Sequence, residues 1–440
     1  MTQFSKRQLV VFAALLLFSL PMSSQVKFPS PEELKKARNT VRDATNTLRE
    51  ARRFIQEAKR TTKDFNELVT VVKGESSGTK TAKKAKSIKI VNGELSGANW
   101  EPVVFFDNEI FPSAIVSLAS YRGDFTNELL VISRPVGFKI LSDKQNVSLK
   151  WEIECTNKDF FDKVSGVVIY EKAGREVFVM PEIPWNFNSL INQVGSVPFQ
   201  LIYRFFDKKG NKVEKVVRVN MRSITDCIFQ YRDTRMHYLF SAYIQESHPE
   251  IDNILRAALD TKMITSIQGY QGGELAVLLQ VAAVWRVLHD KGFQYSSITT
   301  PSVSSQSSYF CQSVRTFGSA YQTSQANCVD GTVVLASILR KMGIAVEMII
   351  VPGHCFLGFY GDESCSEENR YFLETTMLGF PLNINSSQSE EEISLEYFDH
   401  FSSALKQGQA TYERYKGSPN LIVINIGSAR KLINPIPILD

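Results

Sequence analysis

Three residues in the C-terminal half have the types and order needed for thiol chemistry. Cys328 sits in Asn327-Cys328-Val329-Asp330-Gly331, which opens a helical pattern through Leu335, Ile338 and Leu339 to Lys341, closed by Gly343. His354 follows the turn Pro352-Gly353 and begins His354-Cys355-Phe356-Leu357-Gly358-Phe359-Tyr360, a strand pattern paired with the preceding run Ala345–Val351. Glu374 lies in a third strand pattern, Tyr371–Thr376. A thiol at a helix start is activated by unpaired N–H groups and the helix dipole, because the thiolate is the reactive form. A histidine on the adjoining hairpin can act as its general base, and a carboxylate on the neighbouring strand can orient that histidine and stabilise its cation. Backbone N–H groups around Cys328 offer part of an oxyanion hole.

Together with the helix end Leu339-Arg340-Lys341-Met342-Gly343-Ile344 and the segment Leu373-Glu374-Thr375-Thr376, these residues resemble the catalytic core of the transglutaminase-like superfamily. The motif-bearing stretch runs from about Tyr295 to Leu378. The resemblance implies a papain-like arrangement, a catalytic triad of Cys328, His354 and Glu374, and acyl transfer or hydrolysis of amides. It also implies that Gly292–Ser297 and Val314-Arg315 are core elements. Many members carry aspartate where this chain has Glu374, whose longer side chain can fill the role. Many carry an aromatic residue two positions after the histidine, which Phe356 matches. For the oxyanion side-chain donor, Gln322 stands six residues before Cys328 as in papain-like proteases, with Gln325 and Tyr295 as alternatives. The expected substrate is a peptide or protein amide. Hydrolysis, as protease or amidase, is easier to support than cross-linking, since nothing in the sequence defines an acyl-acceptor channel. The alternative is an inactive scaffold or binding module of the cell envelope.

The other reactive residues are weaker candidates. Cys355 points to the opposite strand face from His354, so it is expected in the core or bridged to Cys365. Six cysteines in a chain of this length are not a disulfide framework, although one or two bridges fit an exported protein. Asp330 reads as a helix-start carboxylate rather than a second base. His237, His248, His289 and His400 are scattered along the sequence and suggest no metal site. No cofactor is implied, because there is no Gly-rich phosphate loop and no zinc-ligand spacing.

The elements that must position the triad belong to an α+β chain. It has 440 residues, of which 43% are apolar and 22% charged, enough for two to three domains with substantial cores. The net charge of +4 gives no argument for nucleic acid. Lys6 and Arg7 precede an apolar run from Leu9 to Leu20, then Pro21, Met22, Ser23 and Ser24. That is the pattern of a secretory signal peptide over residues 1–24, cleaved near Ser24 or Gln25, and it is short for a membrane span. The expected location is therefore exported, and the resemblance of the layout of leader, β-rich region and C-terminal core to bacterial proteins of the superfamily implies the periplasm or the outside of a bacterium.

Residues 30–72 read as one long amphipathic helix. Ser30, Pro31 and Glu33 fit its start, and Leu34, Ala37, Val41, Ala44, Leu48, Ala51, Ile55, Ala58, Thr62, Phe65 and Val69 follow a coiled-coil period. From Lys27 to Lys86, sixteen Lys or Arg stand against eight Asp or Glu. This basic helix suits contact with an anionic envelope surface, and its seam suits self-association. The same pattern also fits a solvated face beside an intramolecular seam. Residues 73–87 are a Gly/Ser/Thr/Lys linker. Residues 88–226 are β-rich and sandwich-like, with runs at Trp151–Cys155, Gly166–Tyr170 and Glu176–Met180 and a hairpin over Phe199–Val219. Trp185 is expected as a core or interface anchor there. Residues 227–440 form the expected catalytic domain, with helices over His237–Glu246, Ile251–Leu259 and Glu274–Lys291.

Overall fold

The computed structural model describes residues 98–121, 128–171, 173–174, 176–297 and 308–438. The expected leader, long helix and linker lie outside these residues.

In the first part of the described chain, the strands are β1 (Ala98–Val104), β2 (Val136–Ser142), β3 (Val147–Cys155), β4 (Lys163–Tyr170), β5 (Val177–Val179), β6 (Val197–Phe206) and β7 (Lys212–Met221). β1, β2 and β5 form one antiparallel sheet. Glu109–Ile110, β7, β6, β3 and β4 form a second, mixed sheet in that order, with Glu109–Ile110 parallel to β7 and the other pairs antiparallel. Alternate residues of β3 and β6 are buried, including Leu149, Trp151, Ile153, Leu201, Tyr203 and Phe205, as a strand with one covered face requires. Rings from the two sheets meet. Trp100 of β1 stacks on Phe205 of β6 at 4.0 Å, and Phe138 of β2 meets Phe205 edge-on at 4.8 Å. Gly166 pairs opposite Trp151 because a Cβ there would come within 2.6 Å of the indole. Trp185 is 8% exposed and packs edge-on against Phe161, so it is a core anchor.

From residue 226 onward, helices and a further sheet take over. β8 (Asp226–Tyr231) pairs antiparallel with β9 (Tyr309–Ser313). A 3-10 turn covers His237–Tyr243, shorter than the expected helix. The helices of ordinary length are α1 (Glu250–Asp260), α2 (Gly273–Asp290), α3 (Phe317–Thr323), α4 (Cys328–Lys341) and α5 (Glu390–Tyr415). Four antiparallel strands, β10 (Val346–Val351), β11 (His354–Tyr360), β12 (Arg370–Leu373) and β13 (Ile422–Asn425), form a sheet in the order β12-β11-β10-β13. α4 is buried nearly all round, as a helix with Val333, Val334, Leu335, Ala336, Ile338 and Leu339 in its middle must be. Its Ser337 hydroxyl bonds the Val333 carbonyl and accepts the Gln245 amide, so the one polar side chain in that stretch is satisfied. α5 crosses β12 closely. A Cβ on Gly408 would come within 2.4 Å of the Phe372 carbonyl oxygen, so only glycine permits this approach. All six cysteines are free, which leaves Cys355 in the core and Cys365 exposed.

Candidate active site

The site is built on the start of α4. Asn327 caps the helix: its Oδ1 accepts the Val329 and Asp330 amides at 2.8 and 2.9 Å. The Asp330 carboxylate returns the bond to the Asn327 amide at 3.1 Å, completing a capping box. Asp330 is fully buried and also accepts the Arg315 amide at 2.8 Å and its guanidinium at 2.7 Å. One buried carboxylate therefore ties the turn that presents Cys328 to the segment entering α3.

His354 stands at the other side of the sulfur. The turn Pro352-Gly353, with Gly353 at φ +73°, reverses the chain so that Val351 pairs with His354 at the end of the β10–β11 ladder. Glu374 lies one residue beyond β12, not inside a longer strand as the sequence pattern suggests, and caps the 3-10 turn Thr375–Gly379. Its backbone N–H bonds the Ala404 carbonyl of α5 at 3.1 Å. The close approach at Gly408 thus holds the acid in place.

The three side chains form a relay. His354 Nε2 is 2.7 Å from Glu374 Oε2, which leaves Nδ1 as the ring nitrogen for the Cys328 sulfur beside it. Glu374 Oε1 accepts the Thr376 amide at 3.2 Å and its hydroxyl at 2.6 Å. The Glu374 side chain is 6% exposed and that of His354 is 28% exposed. The hydrogen bond with Cys328, then that with Glu374, pushes the His354 pKa up to about 10 against the opposing effect of burial. For Glu374 burial acts upward, but bonds from His354 and Thr376 outweigh it and hold the carboxylate below its ordinary range. The ring is therefore a cation at neutral pH, facing sulfur on one side and a carboxylate on the other.

Behind the nucleophile, Thr332 donates to the Cys328 carbonyl at 2.8 Å and accepts from the Cys355 thiol at 3.7 Å. Cys355 is thus buried beneath α4, and burial pushes its thiol well above the ordinary value. In front, Cys328 and His354 open into a cleft of about 500 Å3.

The three alternative oxyanion donors are placed differently. Gln322 is exposed on α3 and does not line the cleft. Gln294–Tyr295 and Gln325–Ala326 form a short parallel ladder just before Cys328. The Tyr295 phenol pKa is raised by burial and then by the nearby Cys328 and Glu374, but like Gln322 and Gln325 it does not line the cleft.

The histidines are less scattered than their sequence positions suggest. His289 and His400 stack edge-on at 5.5 Å, and Trp285 donates to His400 Nδ1 at 3.1 Å. His237 lines the cleft with Phe229 and Phe240, a wall that the sequence reading missed because each aromatic there reads locally as core. No group of His, Cys, Asp or Glu among the described residues has the arrangement to hold a metal. No family model matches the chain, and neither a curated protein nor a solved structure matches it.

Proposed function

We propose that this protein is a cysteine-dependent amide hydrolase or acyltransferase of the transglutaminase-like type, its β-rich part a sandwich and its C-terminal part a papain-like core. One observation carries the reading. A helix-start thiol lies beside an imidazole at an open cleft, and that imidazole is bonded at 2.7 Å to a buried carboxylate.

The Cys328 thiolate attacks the carbonyl carbon of a peptide or carboxamide, forming the C–S bond of a tetrahedral intermediate. N–H groups near the start of α4 receive the developing oxyanion. His354, held as a cation by Glu374, gives its proton to the departing nitrogen as the C–N bond breaks. Ammonia or an amine leaves, and the acyl group remains on sulfur as a thioester. Water then attacks, His354 takes its proton, and the C–S bond breaks to release a carboxylic acid. An amine in place of water would make the reaction a transamidation. Glu374 stays ionised throughout and fixes which ring nitrogen faces the sulfur.

The same reading includes an exported protein, cleaved near Ser24, whose basic segment at 30–72 contacts an anionic envelope surface or a second copy of the chain. Peptide-amide turnover and labelling by a thiol-reactive probe test the chemistry. Turnover and the fast phase of labelling should both disappear in Cys328→Ala, leaving only the slower labelling of the exposed Cys365. A wild-type protein that turns over no peptide or amide in a broad library, and whose Cys328 labels no faster than the exposed Cys365, would leave the scaffold reading instead.

A further inference from the structure

The cleft extends beyond Cys328 and His354 onto a wall that the relay does not use. Phe229 of β8 is its centre. Its ring lies 5.2 Å from His237 and 5.7 Å from Phe240, both in the 3-10 turn, and 6.3 Å from Phe310 of β9. Phe229, His237 and Phe240 line the same cleft as the nucleophile, and Ile350, Val351 and Ile422 add aliphatic surface. Burial, then the nearby Arg235, pushes the His237 pKa down to about 4, so its ring is neutral at physiological pH. Its Nδ1 is buried without a partner among the described residues. His237 therefore adds a ring, not a charge. Besides His354, the lining carries the cation Arg235, whose guanidinium bonds the Pro419 carbonyl at 3.1 Å, beside the cleft residue Asn420.

Offset rings at 5–6 Å accept a further ring in the same geometry, and an aromatic side chain brings about 150–250 Å2 of surface to such a contact. A basic side chain would lose its hydration there without gaining a partner, and Arg235 would repel it. We infer that the wall of Phe229, His237 and Phe240 is a specificity subsite for an aromatic side chain flanking the scissile amide of a peptide substrate. The inference rests on the acyl-transfer reading above.

The test separates binding from chemistry. Binding of short peptide amides to Cys328→Ala is measured by calorimetry, with Phe, Leu, Ala or Asp placed in turn on either side of the target amide. The Phe peptide should bind at least about tenfold more tightly than the Ala peptide at one of the two positions, within the range a hydrophobic pocket supplies. Adding Phe229→Ala should bring the ratio close to one, and Phe229→Leu should retain part of it. Circular dichroism checks that each variant is folded. The same order should appear in kcat/KM of the unmutated enzyme. Equal affinities, no binding of either peptide, or a ratio unmoved by Phe229→Ala overturns the subsite. A Phe preference in binding without turnover by the unmutated protein supports the subsite and overturns the catalytic reading alone.

Discussion

Glu374→Gln changes one charge in the relay and leaves its shape intact. The carboxylate accepts from His354 on Oε2 and from the Thr376 amide and hydroxyl on Oε1. A glutamine cannot serve both sides. With its carbonyl toward His354, its NH2 faces the Thr376 amide, donor against donor. With its NH2 toward His354, Nε2 must become an acceptor, so a neutral ring would carry its proton on Nδ1 and could not take one from the thiol. A hydrogen bond to a charged group is worth about 1.5–3 kcal/mol. Loss of that amount from the imidazolium in the transition state lowers kcat by roughly 10- to 150-fold, at about 1.4 kcal/mol per factor of ten. The same energy moves the His354 pKa down by about 1–2 units. The assay is kcat/KM against pH for a peptide amide. The wild-type alkaline limb should lie above the ordinary histidine range, because His354 is raised from 6.5. In Glu374→Gln it should shift to lower pH. The linkage sign follows from both partners. The raised histidine contributes stability in full below about pH 6.5 and loses it as pH rises through its folded value. The depressed carboxylate contributes above about pH 4.5 and loses it as pH falls through its folded value. The wild-type stability advantage should therefore peak between about pH 4.5 and 6.5. A folded Glu374→Gln enzyme with a rate within about twofold of wild type and an unmoved alkaline limb would refute the relay.

Asp330→Asn breaks a buried ion pair with Arg315 and should cost about 3–5 kcal/mol by urea unfolding, without touching the reacting atoms. Gly408→Ala forces a Cβ against the Phe372 carbonyl and displaces the chain leading to Glu374. It should lower kcat more than KM, read from steady-state kinetics with a peptide amide. Trp100→Ala removes the ring between the two β-sheets and should cost about 3–5 kcal/mol in unfolding free energy, while a pulse of thiol probe still labels Cys328 in the folded fraction.

Much of the site is legible along the sequence because it is made by local rules. Asn327 before Cys328 and Asp330 three residues after the cap spell a helix start, and these bonds span at most three residues. Pro352-Gly353 turns the chain before His354, and alternation in β3 and β6 follows from the pleat. The order of thiol, imidazole and acid is likewise readable without a structure. What tertiary packing alone decided lies between distant segments. Glu374 lies past the end of β12, held by Ala404 thirty residues away, and that placement directs His354 Nε2 to the acid. Cys355 goes beneath α4 onto Thr332, unbridged. His289 and His400 come together across Trp285. Phe229, His237 and Phe240 become a cleft wall only because β8 and the following turn are packed beside the relay. Periodicity and capping tell which residues leave water, since each depends on a few neighbouring bonds. Which distant partner a buried side chain meets depends on how whole elements close-pack, and no short stretch of chain carries that information.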